Sequence, residues 1–283
     1  MLTATELKTI LRAQGIRLTK RLGQHHLIDS RAITRVIAAC ELSTQDTVVE
    51  IGPGLGALTE PLAQEAGQVI AVEVDRHIAA LLTERMASRQ NVTVISADIL
   101  TFDWTHVGPV VVVGAIPYSI TSPILSVLSE WQHTIQRAVL IVQQEVARRL
   151  LALPGTKSYG RLSILAQYHW DVSFVSTIGR HAFFPQPDVD SSCLRLAPHR
   201  HTLLPQEDTA RFFAFVKAAF AHRRKSLLNS LRDAELDGFV RADVEAVLCQ
   251  LGYPLSLRGE TLSLEQFIAV FRALDLPRSS LER

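Results

Sequence analysis

The amino-acid sequence predicts an α/β chain: a mostly parallel sheet covered by helices on both faces, followed by a small helical domain. Three observations carry that prediction. Short runs rich in valine and isoleucine recur at Thr47–Ile51, Val69–Val74, Val92–Ser96, Val110–Val113 and Ala138–Gln143. Helical patterns, such as Leu58–Glu65 and Ile78–Met86, lie between most of them. Strands that are apolar along their whole length and separated by helices belong to parallel sheets buried on both sides. Beyond about residue 200, strand-like runs cease and helical periodicity takes over.

In chain order, the first element is a basic N-terminal arm. From Lys8 to Arg31 it carries six basic residues against one acid, Asp29. The five strand candidates follow, and segments near Val172–Ile178 and Cys193–Leu196 read as additional edge strands. Ala197–Asp208 is polar and contains two prolines, which marks a break between domains. After it, helices are predicted over Thr209–Leu231, Ala242–Leu251 and Leu264–Leu274. Ser263 and Gln266 have the spacing of a capping box for the last one. The expected division is residues 1–200 as the α/β domain with its arm and residues 201–283 as the helical domain.

Composition narrows the function classes. With 283 residues and 47% hydrophobic content, the chain can bury a full core and is not a disordered protein. No run approaches the roughly 18–20 apolar residues of a membrane helix, and the start lacks the apolar core of a secretion signal. Cys40, Cys193 and Cys249 are far apart, odd in number and without metal-ligand spacing. The expectation is a reduced, cytoplasmic monomer with no metal. Net charge is only +1, but a second basic block runs from Arg211 to Arg232, with six basic residues and no acid. Two such blocks on a near-neutral protein point to a polyanion-facing side; two solvated helix faces are the competing reading.

Chemistry concentrates at the ends of the predicted strands. In "VVEIGPGLGALTE" (Val48–Glu60), Gly52 and Gly54 let the backbone approach a ligand where a helix begins. Glu73, 21 residues after Gly52, closes the second strand, where an acid suits the hydroxyls of a ribose. Asp98 closes the third, placed either to accept from an adenine amine or to cap a turn. The spacing Gly52-x-Gly54-x-x-Ala57 also satisfies a dinucleotide fingerprint, so a dehydrogenase is the alternative. Glu50 ahead of Gly52 favours an S-adenosylmethionine enzyme, and no nicotinamide pocket has a signature. The fourth strand runs into "GAIPY" (Gly114–Tyr118), at the position where α/β enzymes place reacting groups.

The ordered set "RLGQHHLID", "EIGPGLGALTE", "AVEVD", "SADIL", "VGAIPYSITSPIL", "QQEVARRL", "YGRLSILAQY", "AFFPQPDVDSSCLRL" and "AFAHRRKSLLNSL" resembles the ribosomal RNA adenine dimethyltransferases. It is closer to their small-subunit branch than to the large-subunit antibiotic-resistance branch. The resemblance covers nearly the whole chain. It implies a Rossmann-like S-adenosylmethionine-dependent methyltransferase domain of seven strands, a helical C-terminal domain, and dimethylation of two adjacent adenines near the 3′ end of small-subunit ribosomal RNA. By position it assigns Gln24, His25, Leu27, Gly52, Gly54, Glu73, Val74, Asp98, Ile99 and Ala115 to the cofactor. Tyr118 and Phe183 would sandwich a flipped adenine, with Ile116 and Pro117 presenting backbone carbonyls. Arg223, Arg224 and Lys225, with the Gly155–Gly160 loop, would contact RNA.

The same resemblance exposes departures. The family pattern Asn-Leu/Ile-Pro-Tyr has an asparagine where this chain has Ala115, so a side-chain acceptor for the adenine amine is missing. Loss of one such preorganised group costs about 10²–10³ in rate. A methylation-impaired assembly factor that keeps its cofactor and RNA sites is therefore the second expectation. His26 stands in place of a phenylalanine, Ser119 in place of an asparagine and Phe184 in place of a small residue.

Overall fold

The protein is described by a computed structural model covering residues 3–13, 15, 25–117, 120–234 and 240–274. Helix α1 (Ala4–Ala13) precedes the short strand β1 (His26–Leu27) and helix α2 (Ser30–Cys40). The alternation that follows is β2 (Thr47–Ile51), α3 (Thr59–Glu65), β3 (Gln68–Glu73), α4 (Arg76–Met86), β4 (Val92–Ser96), β5 (Val110–Ala115), α5 (Thr121–Glu130) and β6 (Ile135–Gln143). Acidic caps set where helices begin. The Asp29 carboxylate accepts the Ala32 amide at 2.7 Å to start α2, and that of Asp75 accepts the His77 and Ile78 amides to start α4.

The chain continues through α6 (Gln144–Leu150), α7 (Arg161–His169), β7 (Trp170–Ile178), β8 (Phe183–Phe184) and β9 (Ser191–Pro198). Seven strands form one sheet in the order β4-β3-β2-β5-β6-β9-β7. The first five pair in parallel, whereas β9 is antiparallel to both β6 and β7. Val48, Val49, Val111 and Val112 have no exposed surface, as strands covered on both faces require. Of the two segments expected at sheet edges, only β7 is one. β9 lies between β6 and β7, and its Cys193, Leu194 and Leu196 are fully buried, a burial that an edge strand does not reach.

The helical part contains α8 (Gln206–Ala219), α9 (Leu227–Asp233), α10 (Arg241–Gln250) and α11 (Leu264–Leu274). The single helix expected over Thr209–Leu231 is two. Ser226 caps α9 by accepting the Asn229 amide, and the Ser230 hydroxyl takes the His222 amide, so the chain turns between Phe220 and Ser226. The capping box of α11 forms as expected, with Gln266 N–H donating to Ser263 Oγ and Ser263 N–H to Gln266 Oε1.

Two compact units divide the chain differently from a cut at residue 200: Met1–Ala147 with Trp170–Pro198, and Arg148–His169 with His199–Arg283. The reason is packing. Tyr159, Ile164 and Tyr168 share one apolar cluster with Phe212, Phe215, Phe267 and Phe271, and the Tyr159 hydroxyl donates to the Leu262 carbonyl at 2.7 Å. Among the described residues, no helix is long and apolar enough to cross a membrane.

Close strand packing makes Gly114 a test of the sheet. A Cβ there would lie 2.7 Å from the Ile51 carbonyl oxygen, a backbone atom that cannot swing aside. Gly114→Ala is expected to destabilise the first unit by about 1–3 kcal/mol, measured by chemical denaturation.

Candidate active site

The parallel register aligns the carboxyl ends of β5, β2, β3 and β4. Ile51 pairs with Gly114 and with Val72, and Glu73 pairs with Ser96. The residues just past those pairs are Ala115, Gly52 and Asp98, with Glu73 between the last two strands. Chain segments far apart in sequence thus converge along one edge, where ligands of open α/β sheets bind.

The glycine turn is held by acids. Gly52, Gly54 and Gly56 adopt φ of 64°, 57° and 88°, values open to glycine but strained for other residues. The Gly52 amide donates to the Val72 carbonyl at 3.0 Å. The Gly54 amide donates to Glu73 Oε2 at 3.1 Å, and the Asp75 amide to Glu73 Oε1 at 3.0 Å. Glu73 is buried, which raises its pKa, while these bonds partly offset the shift. Glu50 sits deeper, with burial pushing its carboxyl up to about 8 and the Glu73 charge adding to the effect. It accepts a hydrogen bond from the Thr59 hydroxyl at 2.6 Å, tying the end of β2 to the first residue of α3.

Next to the turn, the Ala115 carbonyl oxygen lies 4.0 Å from where a Cβ on Gly52 would sit. Asp98 is exposed and accepts the Leu100 amide at 2.9 Å, so it does cap a turn, and Ile99 beside it is buried. Val74, after β3, is 55% exposed. The Pro117 carbonyl accepts from the Ile120 amide at 3.2 Å and the Thr121 hydroxyl at 3.3 Å, which occupies it in starting α5. Ile116 is buried, and its amide donates to the Ile141 carbonyl at 2.9 Å.

A second assembly lies against this edge. Strands β1 and β8 pair antiparallel, Leu27 with Phe183 and His26 with Phe184. The His25 Nδ1 is 2.7 Å from the Pro185 carbonyl. Leu27 and Phe183 are both buried in an apolar cluster against which Ala115 also packs. Gln24 and Tyr118 lie outside the described residues.

In the helical unit, the basic run is not a free helix face. Arg223 pairs with Glu260 and donates to the Thr156 carbonyl at 2.9 Å, and Lys225 pairs with Asp233. Arg224 is exposed, with no bonded partner among the described residues. The loop at Gly155–Gly160 and the 222–225 turn are therefore neighbours, as Arg223 connects them.

Sequence reasoning did not find the Glu50–Thr59 bond, the closing of the Pro117 carbonyl or the partners of Arg223. The partners of Arg223 are far away in sequence, whereas the Pro117 contacts are local ones at the start of α5 that depend on the backbone path.

A family model described as ribosomal RNA adenine dimethylase matches residues 15–252. The chain belongs to this family. Proteins called ribosomal RNA small subunit methyltransferase A from Bacillus mycoides (strain KBAB4) and Bacillus cereus (strain B4264) are each 40% identical, covering 98% of this chain and 98% of theirs. The solved structure of the 23S rRNA methyltransferase ErmE superposes with TM-score 0.69 at 33% identity, over 88% of this chain and 99% of that one. A dimethyladenosine transferase from Plasmodium falciparum, 24% identical, shares the fold with TM-score 0.74, over 87% of this chain and 96% of that one. The family's enzymes are S-adenosylmethionine-dependent dimethylases of ribosomal RNA adenines, and the dehydrogenase alternative falls. The edge fits such a cofactor. Gly52, at positive φ, has no atom nearer than 4.0 Å where a side chain would sit, so a ligand can approach the backbone there, and Glu73 lies beside the same turn.

Glu50 makes stability depend on pH. Its pKa is raised in the fold, so the native state holds a proton that the unfolded chain releases above its ordinary value of 4.5. Stability is fully present below that value and is lost as pH rises toward about 8. Glu50→Gln keeps an acceptor for Thr59 without the charge. It is expected to remove a fall in unfolding free energy of roughly 1.4 kcal/mol per pH unit between pH 5 and 8, measured by chemical denaturation across that range.

Proposed function

We propose that this chain uses S-adenosylmethionine to dimethylate two adjacent adenines near the 3′ end of small-subunit ribosomal RNA, acting as a cytoplasmic monomer on an assembling subunit. The observation that carries this reading is the convergence of Ala115, Gly52, Glu73 and Asp98 on one sheet edge, in a chain 40% identical over 98% of its length to small-subunit enzymes. The bound cofactor supplies an electrophilic methyl group.

The chain's own residues bind and orient. Glu73 receives the ribose hydroxyls while its oxygens hold the Gly54 and Asp75 amides, so the ribose and the glycine turn share one anchor. Asp98 accepts from the cofactor's adenine amine with the carboxylate capacity left after its bond to Leu100, between Val74 and Ile99. Gln24, His25 and Leu27 lie along the cofactor. Phe183 and Tyr118 stack on the flipped target adenine; such stacking contributes about 1–3 kcal/mol per base and offsets the cost of unstacking it. The target amine needs acceptors for its hydrogens so that its lone pair can leave conjugation with the ring. Because the Pro117 carbonyl is engaged by α5, the Ile116 carbonyl is the backbone acceptor. The methylated ammonium is acidic enough to release its proton to water, and no strong base is needed.

Ala115 supports a second reading, an assembly factor that binds cofactor and RNA and transfers methyl groups slowly. Ala115→Asn separates the two. Methyl incorporation into unmethylated small subunits is expected to rise about 10²–10³-fold in the asparagine form, with cofactor affinity retained. Equal and substantial rates would assign the work to backbone acceptors, and absent turnover in both forms, with both ligands bound, would favour the assembly factor.

For RNA, Arg223, Arg224 and Lys225 are all exposed, and Arg224 is the one of the three with no bonded partner among the described residues. Arg224→Ala is expected to weaken small-subunit RNA binding and lower the slope of affinity against salt by about 1. Arg223→Ala should also loosen the 153–160 loop, because it removes the bond to Thr156.

A further inference from the structure

His26 is part of neither the ligand set nor the target-base pair, yet it touches the supports of both. Its backbone pairs with Phe184, the neighbour of Phe183, across β1 and β8. Its ring lies on the glycine turn: a Cβ built on Gly54 would fall 2.5 Å from His26 Nδ1 and 2.7 Å from Cε1. Gly54 is the residue whose amide holds Glu73. His26 is 7% exposed, and its Nε2 has no hydrogen-bond partner among the described residues. It borders a small cavity lined by Leu7, Leu55, Gly56, Glu60 and Arg85.

A buried ring nitrogen without a partner costs desolvation that a phenylalanine would avoid. The ring is therefore held by its shape and by its strand, not by polar bonding. Gly54 has no side chain with which to resist it, so the ring face sets how far the turn can move away from β3. Any shift of β8 along β1 moves the ring, and through it the amide that orients Glu73.

We propose that His26 is a positioning residue, a wedge that couples the order of the target-base loop to the cofactor's glycine turn. The proposal rests on the reading of Phe183 as a base-stacking residue. It makes cofactor binding and order in β8 mutually dependent, since a coupling between two sites acts in both directions.

The test compares the unaltered chain with His26→Ala and His26→Phe, using S-adenosylhomocysteine as the probe without RNA. Calorimetry is expected to show affinity about tenfold weaker in His26→Ala and near the original in His26→Phe, which restores a ring. Hydrogen exchange is the readout that a merely structural role would not move. The probe should slow exchange of the Phe183 and Phe184 amides in the unaltered chain and in His26→Phe, but not in His26→Ala. Should His26→Ala fail to fold, His26→Leu serves the same comparison. Unchanged affinity in His26→Ala, equal slowing of β8 in all forms, or failure of a folded His26→Phe to recover would each overturn the wedge. Failure of the functional reading is distinct: the probe would bind and protect as described, while the unaltered chain and Ala115→Asn left ribosomal adenines unmethylated.

Discussion

The Glu73 carboxylate joins the glycine turn after β2 to the helix start after β3, with one oxygen on the Gly54 amide and the other on the Asp75 amide. Much of the site hangs from that bridge. Asp75 caps α4, so the bridge also sets where α4 begins; Gly54 carries the His26 ring, so it sets how the β1–β8 pair meets the turn. The bridge is buried, and burying a carboxylate is unfavourable unless hydrogen bonds replace lost water. The Gly54 and Asp75 amides supply part of that replacement.

Glu50 extends the same constraint. Burial raises the pKa of both acids, and Glu50, the deeper of the two, is pushed up to about 8, so it holds its proton at neutral pH and serves as a hydrogen-bonded support behind Glu73. At the neighbouring strand end the logic reverses. Ala115 is half-buried against an apolar cluster that contains Leu27 and Phe183, and its side chain carries no polar atom.

How much of this was legible in the sequence depended on the range of the interaction. Strands β2 and β4 and helix α11 have the bounds expected from their residues, and the Ser263–Gln266 cap formed as its spacing foretold. Gly52, Glu73 and Asp98 were identifiable because strand ends mark sheet edges. The turn carrying Arg223–Lys225 was read as helix, because no proline or glycine interrupts it; its signal was Ser226, a cap competing with continued helix. The grouping of Tyr159 and Tyr168 with the helical unit depends on phenylalanines some fifty to a hundred residues later.

The amino-acid sequence alone determined the strand alternation and the glycine turn with its acids, since each is a matter of residue type and short spacing, and its resemblance to the family marked Ala115 as standing in place of asparagine. Only the tertiary structure decided that Arg223 is paired, that β9 is interior and that His26 rests on Gly54. These are distances between atoms brought together by sheet register and side-chain packing, and those depend on the whole fold at once.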